Sequence, residues 1–419
     1  MKFPSKNVLV WLAIVLCSSK ISAQQADSLV SDSVIAQDES SSAEKKIKFE
    51  LSGYIGVEGA KFYNSTIVKG QSREFASTVA FPTLKINYKN NHRVVISPFA
   101  RWDGLDKERS HIDMREAYYS GTFKSIELNA GIQQVSWGNM IGPSVVNVIN
   151  QSDEREDFLR SERLGQFQAN LAYIRENFSA TLFVIPFFRK KNFPDAQSPL
   201  FYFPLPVAES NVRVDHENQP SVAARVTKRI KSLDVAVSHF YGTNRMPNFA
   251  LDYHTMTLNP HYKVQHQSNV ELQHVFKNIT SKLELANKWE DKSSYQCINA
   301  GLEYVVSNIF GSGIENTFYG EYLYDQWRKD KQFPFADAYF LGSKLNFSDV
   351  QSSEVFVKFL SNRQEFTPFI NVECSRRVTS NGKIILSITE YLGKQLPYTN
   401  SLSVMQYNSN VSLTLRRFF

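Results

Sequence analysis

The sequence predicts an all-β chain, a transmembrane antiparallel up-and-down β-barrel, and three observations predict it. Period-2 alternation of apolar and polar residues recurs from Lys48 to the last residue, while helical periodicity is scarce. Connections between the alternating stretches switch regularly between short turns and long loops. The N-terminus reads as an export signal. The mean hydropathy of −0.32 does not oppose a membrane protein, because every second residue of a barrel strand faces water.

In chain order, Lys2 and Lys6 supply a positive start, Val8 to Cys17 a short apolar run, and Ser22-Ala23 a small-residue cleavage site. That run falls short of the roughly 20 apolar residues that a spanning helix needs, and no other stretch reaches it. Leu16 before Cys17 argues against lipidation, which wants a small residue there. Residues 1–23 therefore read as a signal peptide. Its removal takes three lysines and no acid, lowering the formal charge from +6 to +3 and excluding a strongly nucleic-acid-binding chain. Residues 24–46 are rich in Ser, Asp and Glu and contain no aromatic, so they read as a disordered periplasmic leader.

Residues 47–419 read as the barrel. Ile126, Leu128, Ala130 and Ile132 alternate with Glu127, Asn129 and Gln133; the same rhythm appears in 167–173, 281–289, 298–304 and 411–419. Strand cores beginning near 48, 75, 93, 113, 125, 167, 179, 220, 233, 264, 280, 296, 313, 336, 353, 366, 383 and 409 give about 18 strands, with about 16 as the alternative. Short turns fall at 89–92, 122–125, 175–178, 229–232, 276–279, 348–352 and 379–383. Long loops fall near 58–74, 102–112, 136–166, 188–219, 242–262, 326–335 and 394–408. A soluble sandwich has no reason to keep that rhythm; a barrel with short periplasmic turns and long extracellular loops does. The chain closes on Leu413 to Phe419 (LTLRRFF), whose terminal aromatic resembles the signal read by the outer-membrane barrel-assembly machinery, with Arg417 departing from its usual apolar position. Of the two cysteines outside the signal, Cys297 is expected toward the lumen and Cys374 toward lipid, so no disulfide joins them.

Arg115 to Tyr119 (REAYY), Leu128 to Gly138 (LNAGIQQVSWG), Val146 to Asn150 (VNVIN) and Asp153 are more specific. This stretch resembles porin-like outer-membrane families of the alginate-export kind, with Gln151 where those families carry Pro. The resemblance implies a large single-chain barrel that passes small or oligomeric hydrophilic solutes. Read physically, Gln133, Gln134 and Trp137 close a strand at its extracellular end, where an indole suits the headgroup region. Gly138 and Gly142 then release the backbone. Residues 151–164 are expected to form a short charged helix, with Asp153, Glu154, Glu156 and Asp157 at its start and Arg160 and Arg163 toward its end. Folded inward, this loop would constrict the channel and set its acids opposite wall arginines.

Strand phase assigns Arg93, Arg101, Arg225, Arg229, Lys282, Glu284, Lys288, Glu303, Glu315, Glu321, Glu373 and Arg377 to the lumen. This tally is too balanced to predict charge selectivity. The aromatic, Pro-rich stretch 186–206 is read as rings packing on the barrel rim, or else as a solute-capturing loop. A catalytic alternative lies in Val264 to Asn269 (VQHQSN): His266 and Ser268 share the lipid-facing side and resemble the His-x-Ser-Asn of outer-membrane phospholipase barrels, although Val270 stands where their Gly would be. The eight His lack metal-ligand spacing, and no phosphate-cradling loop is present. The reading is therefore a non-enzymatic, cofactor-free, metal-free channel in the outer membrane. Its expected partners are lipid, the assembly machinery through Phe419 and a hydrophilic solute. The alternatives are the lipid-hydrolysing barrel and a closed binding barrel.

Overall fold

The computed structural model describes residues 47–419 except 65, 90, 157–161, 332, 334, 365 and 394–405. The expected signal and leader, Asp157 and Arg160, and most of the loop 394–408 lie outside the described residues. The first half of the chain forms β1 (Ile47–Phe62), β2 (Glu74–Tyr88), β3 (His92–Asp103), β4 (His111–Phe123), β5 (Ile126–Gln133), β6 (Gln166–Arg175), β7 (Phe178–Ile185), β8 (Arg213–Val214), β9 (Ser221–Ile230) and β10 (Leu233–Thr243). The second half forms β11 (Asn248–Asp252), β12 (Thr257–Tyr262), β13 (Val264–Phe276), β14 (Ile279–Glu290), β15 (Ser293–Ile309) and β16 (Ile314–Asp325). It continues with β17 (Asp337–Asn346), β18 (Glu354–Asn362), β19 (Phe369–Thr379), β20 (Gly382–Tyr391) and β21 (Asn410–Phe418).

Eighteen of these strands form one sheet, each antiparallel to the next in chain order, and β21 pairs back onto β1. Closure removes the exposed edges that an open sheet would leave. The terminal residue takes part, because Gly53 and Phe419 exchange backbone hydrogen bonds at 3.2 Å. The strands β8, β11 and β12 form a separate small sheet within the long loops. All eighteen expected strand cores are barrel strands. One connection breaks the expected rhythm: β14 and β15 are joined at the long-loop end by only Asp291 and Lys292.

Alternation sorts the side chains. Leu51, Ile55 and Val57 of β1, Leu182 and Val184 of β7, and Leu413 and Leu415 of β21 are exposed on the outer face. Exposed aromatics ring that face at both ends, with Tyr173, Phe276 and Tyr304 toward the short turns and Trp102, Trp289 and Tyr339 toward the long loops. An apolar band between two aromatic girdles suits a bilayer. Cys297 points inward, bonding Asp325 at 3.3 Å. Cys374 lies in an outward apolar cluster with Val372 and Ile388.

At one point the ladder itself is adapted. Ser97 pairs with Glu116 and Pro98 with Met114, leaving Arg115 as an extra residue on β4. Pro98 has no N–H to donate, and the bulge turns Arg115 inward.

Candidate channel constriction

The segment 134–165, between β5 and β6, leaves the sheet and crosses the barrel interior. Trp137 is the first departure from expectation: its indole is 3% exposed and inside the barrel, not in a headgroup belt. It packs with Val145, Val146, Val148 and Ile149 of the same segment against Phe183, Ile185 and Phe240 of the wall. Burial in a dry contact outweighs the interfacial preference of the ring, and each fully buried aliphatic here contributes about 1.5–3 kcal/mol.

The same arm is held by wall carboxylates. Gly138 N–H donates to Glu271 Oε2 at 3.0 Å. Ser144 Oγ and Val145 N–H donate to Glu284 Oε2 at 2.8 and 3.0 Å. Ile141 and Gly142 N–H donate to Glu321 Oε1 and Oε2 at 2.7 and 2.8 Å. Hydrogen bonds to a charged acceptor are the stronger kind. Gly138 has φ +85°, and a Cβ there would collide with Glu284 Oε1, so glycine is required. Asn150 fastens the base of the segment, donating to Gln133 O at 2.7 Å and Leu164 O at 2.8 Å.

The second arm meets the opposite wall through ion pairs. Arg101 engages Glu156 with Nε–Oε1 2.9 Å and NH2–Oε2 2.5 Å, and also reaches Glu58 at 3.4 Å. The bulge residue Arg115 bonds Asp153 Oδ2 at 3.0 Å. Arg109 donates to the carbonyls of Arg155 and Glu156 at 3.0 and 3.2 Å. Burial pushes the Asp153 carboxyl up, but His111, Arg155 and Arg115 outweigh it and hold the group well below the usual carboxylate range. Glu154 pairs with Lys191 Nζ at 2.5 Å and accepts from Tyr202, both from the loop 186–220.

The expected helix over 151–164 is not found in the described part. Ser152 and Arg163 form an antiparallel bridge, and Asp153 N–H donates to Glu162 O at 2.7 Å. Pairing with fixed guanidinium groups supplies more than the weak dipole interaction of a short helix. His111, Asp153 and Glu156 offer donor atoms within 4.8 Å of one another. However, Arg101, Arg115 and Arg155 already occupy the two carboxylates. The guanidinium groups supply the positive charge that balances the two carboxylates.

The other predicted lumen residues separate into groups. Glu284 and Glu321 face inward but are covered by the segment, so they are anchors and not open lining. Arg225 bonds Glu271 at 2.9 Å, Lys288 bonds Asp325 at 2.8 Å, and Lys282 pairs with Glu303. Arg229 pairs with Asp234 at 2.6 Å, Arg93 donates to Asn87 at 3.1 Å, and Glu315 accepts from Ser307 at 3.1 Å. Glu373 lies 3.8 Å from Lys358, and Arg377 is exposed near the short-turn end.

Outside the barrel, His266 does not meet Ser268; His239 of β10 does, with Nδ1 2.9 Å from Ser268 Oγ. Residues two apart on one strand point the same way without touching, whereas cross-strand partners do touch. Sequence reasoning missed Glu58, Arg109 and Glu271, and gave Arg115 only as part of a motif, without its inward role. The inward phase of Glu271 was readable from Val270 and Leu272 beside it.

Between the segment and the wall formed by β17–β21 and β1–β3 an open space remains. Its lining includes Tyr54, Phe356, Asn371, Ser412, Thr414 and Arg416. Above it, Phe193, Phe201 and Phe203 of the aromatic loop are buried together and pack with Phe249, which accounts for that stretch as a loop core.

No protein-family model and no curated protein matches the sequence. Among solved structures the chain is similar to OccAB3 of Acinetobacter baumannii, with a TM-score of 0.55, 8% identity, and coverage of 88% of this chain and 99% of that one. A mutant of the Rh. blastica porin (TM-score 0.46, 9% identity, 89% and 100% covered) and a loop-deletion mutant of OmpT, an outer membrane protein of Vibrio cholerae (0.43, 9%, 89% and 99%), also align. At these identities the likeness is one of fold: an 18-stranded closed barrel of the outer-membrane porin type.

Proposed function

We propose that the chain is an exported outer-membrane channel for passive diffusion of small hydrophilic solutes, with 134–165 as a fixed constriction. The observation that carries this reading is the docking of that segment: its two arms are clamped to different parts of the wall, yet open space lined by both polar and apolar side chains remains beside β19–β21. Transport needs no covalent step here; the mechanism is exclusion by size and charge at the narrowed section. The acids of the segment compensate wall arginines, so the constriction is held by charge pairing and does not present a bare ring of one sign.

In this reading residues 1–23 are cleaved on export, the short turns face the periplasm, and Phe419 is the residue read during assembly. The likeness of 115–153 to alginate-export porins agrees with it and extends the solute class to oligomers. Planar-bilayer recording of the purified barrel tests the proposal: stable unitary conductance supports it, and a folded barrel that never conducts overturns it in favour of a closed binding barrel. Phospholipid hydrolysis that disappears in Ser268→Ala would instead favour the lipase alternative.

A further inference from the structure

The short-turn rim has a chemistry that the channel reading does not use. Lys89, Lys124, Lys231 and Lys277 occupy equivalent turns at φ 51, 58, 55 and 53°. That left-handed region favours Gly, Asn and Asp, and a long side chain there is uncommon. Four separate turns nevertheless place lysine at this position, and all four side chains are exposed. Arg175, Lys228, Arg376 and Arg417 add outward-facing cations at the ends of their strands.

None of these eight forms an ion pair with a carboxylate among the described residues. Inside the barrel Arg101, Arg115, Arg225 and Lys288 each have an acid, whereas Arg93 and Arg245 bond neutral acceptors. Acids near the outer rim are few; Glu176 is at a turn tip, and Asp349 is used to cap its own turn at Ser353.

The cations also lie beside the lipid-facing aromatics. Lys89 stands over Tyr88 at 5.4 Å, Arg175 over Tyr173 at 5.3 Å, and Lys277 over Phe276 at 5.5 Å. Aromatic girdles mark the headgroup boundary, so these charges stand at phosphate level. We propose that the short-turn rim is a docking surface for anionic phospholipid headgroups of the phosphatidylglycerol type, in the leaflet where the short turns stand. A polymer below the membrane fits less well, because Arg175, Lys228, Arg376 and Arg417 point sideways from the strands.

The test is competitive retention. Full-length folded protein is extracted from mixed vesicles of equimolar phosphatidylglycerol and phosphatidylcholine, and the co-purifying lipid is quantified. The expected result is several-fold enrichment of phosphatidylglycerol, lost at high salt, where exposed charges are screened. The enrichment also falls in a variant combining Lys89→Asn, Lys124→Asn, Lys231→Asn and Lys277→Asn. Asparagine accepts the left-handed backbone, so this variant keeps its turns. Equal retention of the two lipids by the natural chain overturns the proposal, as does unchanged enrichment in the variant. So does binding of isolated cell-wall polymer without any headgroup preference. Because the readout is lipid and not current, it is independent of whether the barrel conducts.

Discussion

The two halves of the barrel wall solve different problems. On one side, β7, β9, β10 and β14–β16 face inward with Phe183, Ile185, Ala223, Phe240 and Ala286, and the segment 134–149 is packed on them like a protein core. On the other, β19–β21 present Asn371, Ser387, Thr389, Ser412 and Thr414 to open space. The outer faces of the two halves are alike, because both meet the same apolar medium. In the packed half, inward apolar residues of several adjacent strands come together where the segment docks, whereas isolated inward rings such as Phe356 line open space.

Removing the docked arm gives the largest expected effect. Replacing 138–148 by a short Gly-Ser linker should raise unitary conductance several-fold while the barrel stays folded, and single-channel recording checks both. An unchanged conductance would mean that the arm does not set the narrow section. Phe240→Ala comes next: the ring is 0% exposed, so it should cost about 3–5 kcal/mol in denaturant unfolding. Ser412→Ala, on the open wall, should stay within about 0.5 kcal/mol. Similar losses at both positions would erase the distinction between the halves.

A smaller effect separates the anchors. Glu284→Ala strips the acceptor from Ser144 and Val145 and should cost the docked arm about 1–3 kcal/mol, seen as added current noise. The pH dependence follows from Asp153. Its folded carboxyl is depressed, so its contribution is present at neutral pH and fades as pH falls below about 4 toward the folded value. The share of current stability that depends on Asp153 should therefore hold from neutral pH down to that region and be lost only below it, as comparison with Asp153→Asn by single-channel recording checks.

The barrel was legible because a strand closed in a ring between lipid and water writes its two faces directly into alternate residues. Leu413, Thr414, Leu415 and Arg416 need no partner to reveal their phase. The run Leu182 to Ile185 (LFVI) also carried its message, since a strand apolar on both faces is covered on both. What could not be read was the path of 134–165. Trp137 at a strand end fits an interfacial belt as well as a core until the docking partner is known. Likewise, the charges of 151–164 suit a helix until Arg101 and Arg115 are seen to compete for them. Glu284 and Glu321 were assigned to the right face, but their capture by backbone amides depends on residues more than 130 positions away.

The central claim, that one half of the interior is solid and the other is a passage, is tested most directly by thiol labelling. The natural chain carries Cys297 in the packed half, 4% exposed. A charged, membrane-impermeant thiol reagent should leave the mature natural chain unmodified and should add a single adduct to Ser412→Cys, read by intact mass. Rapid modification of Cys297, or a Ser412→Cys chain that stays unlabelled, would contradict the account.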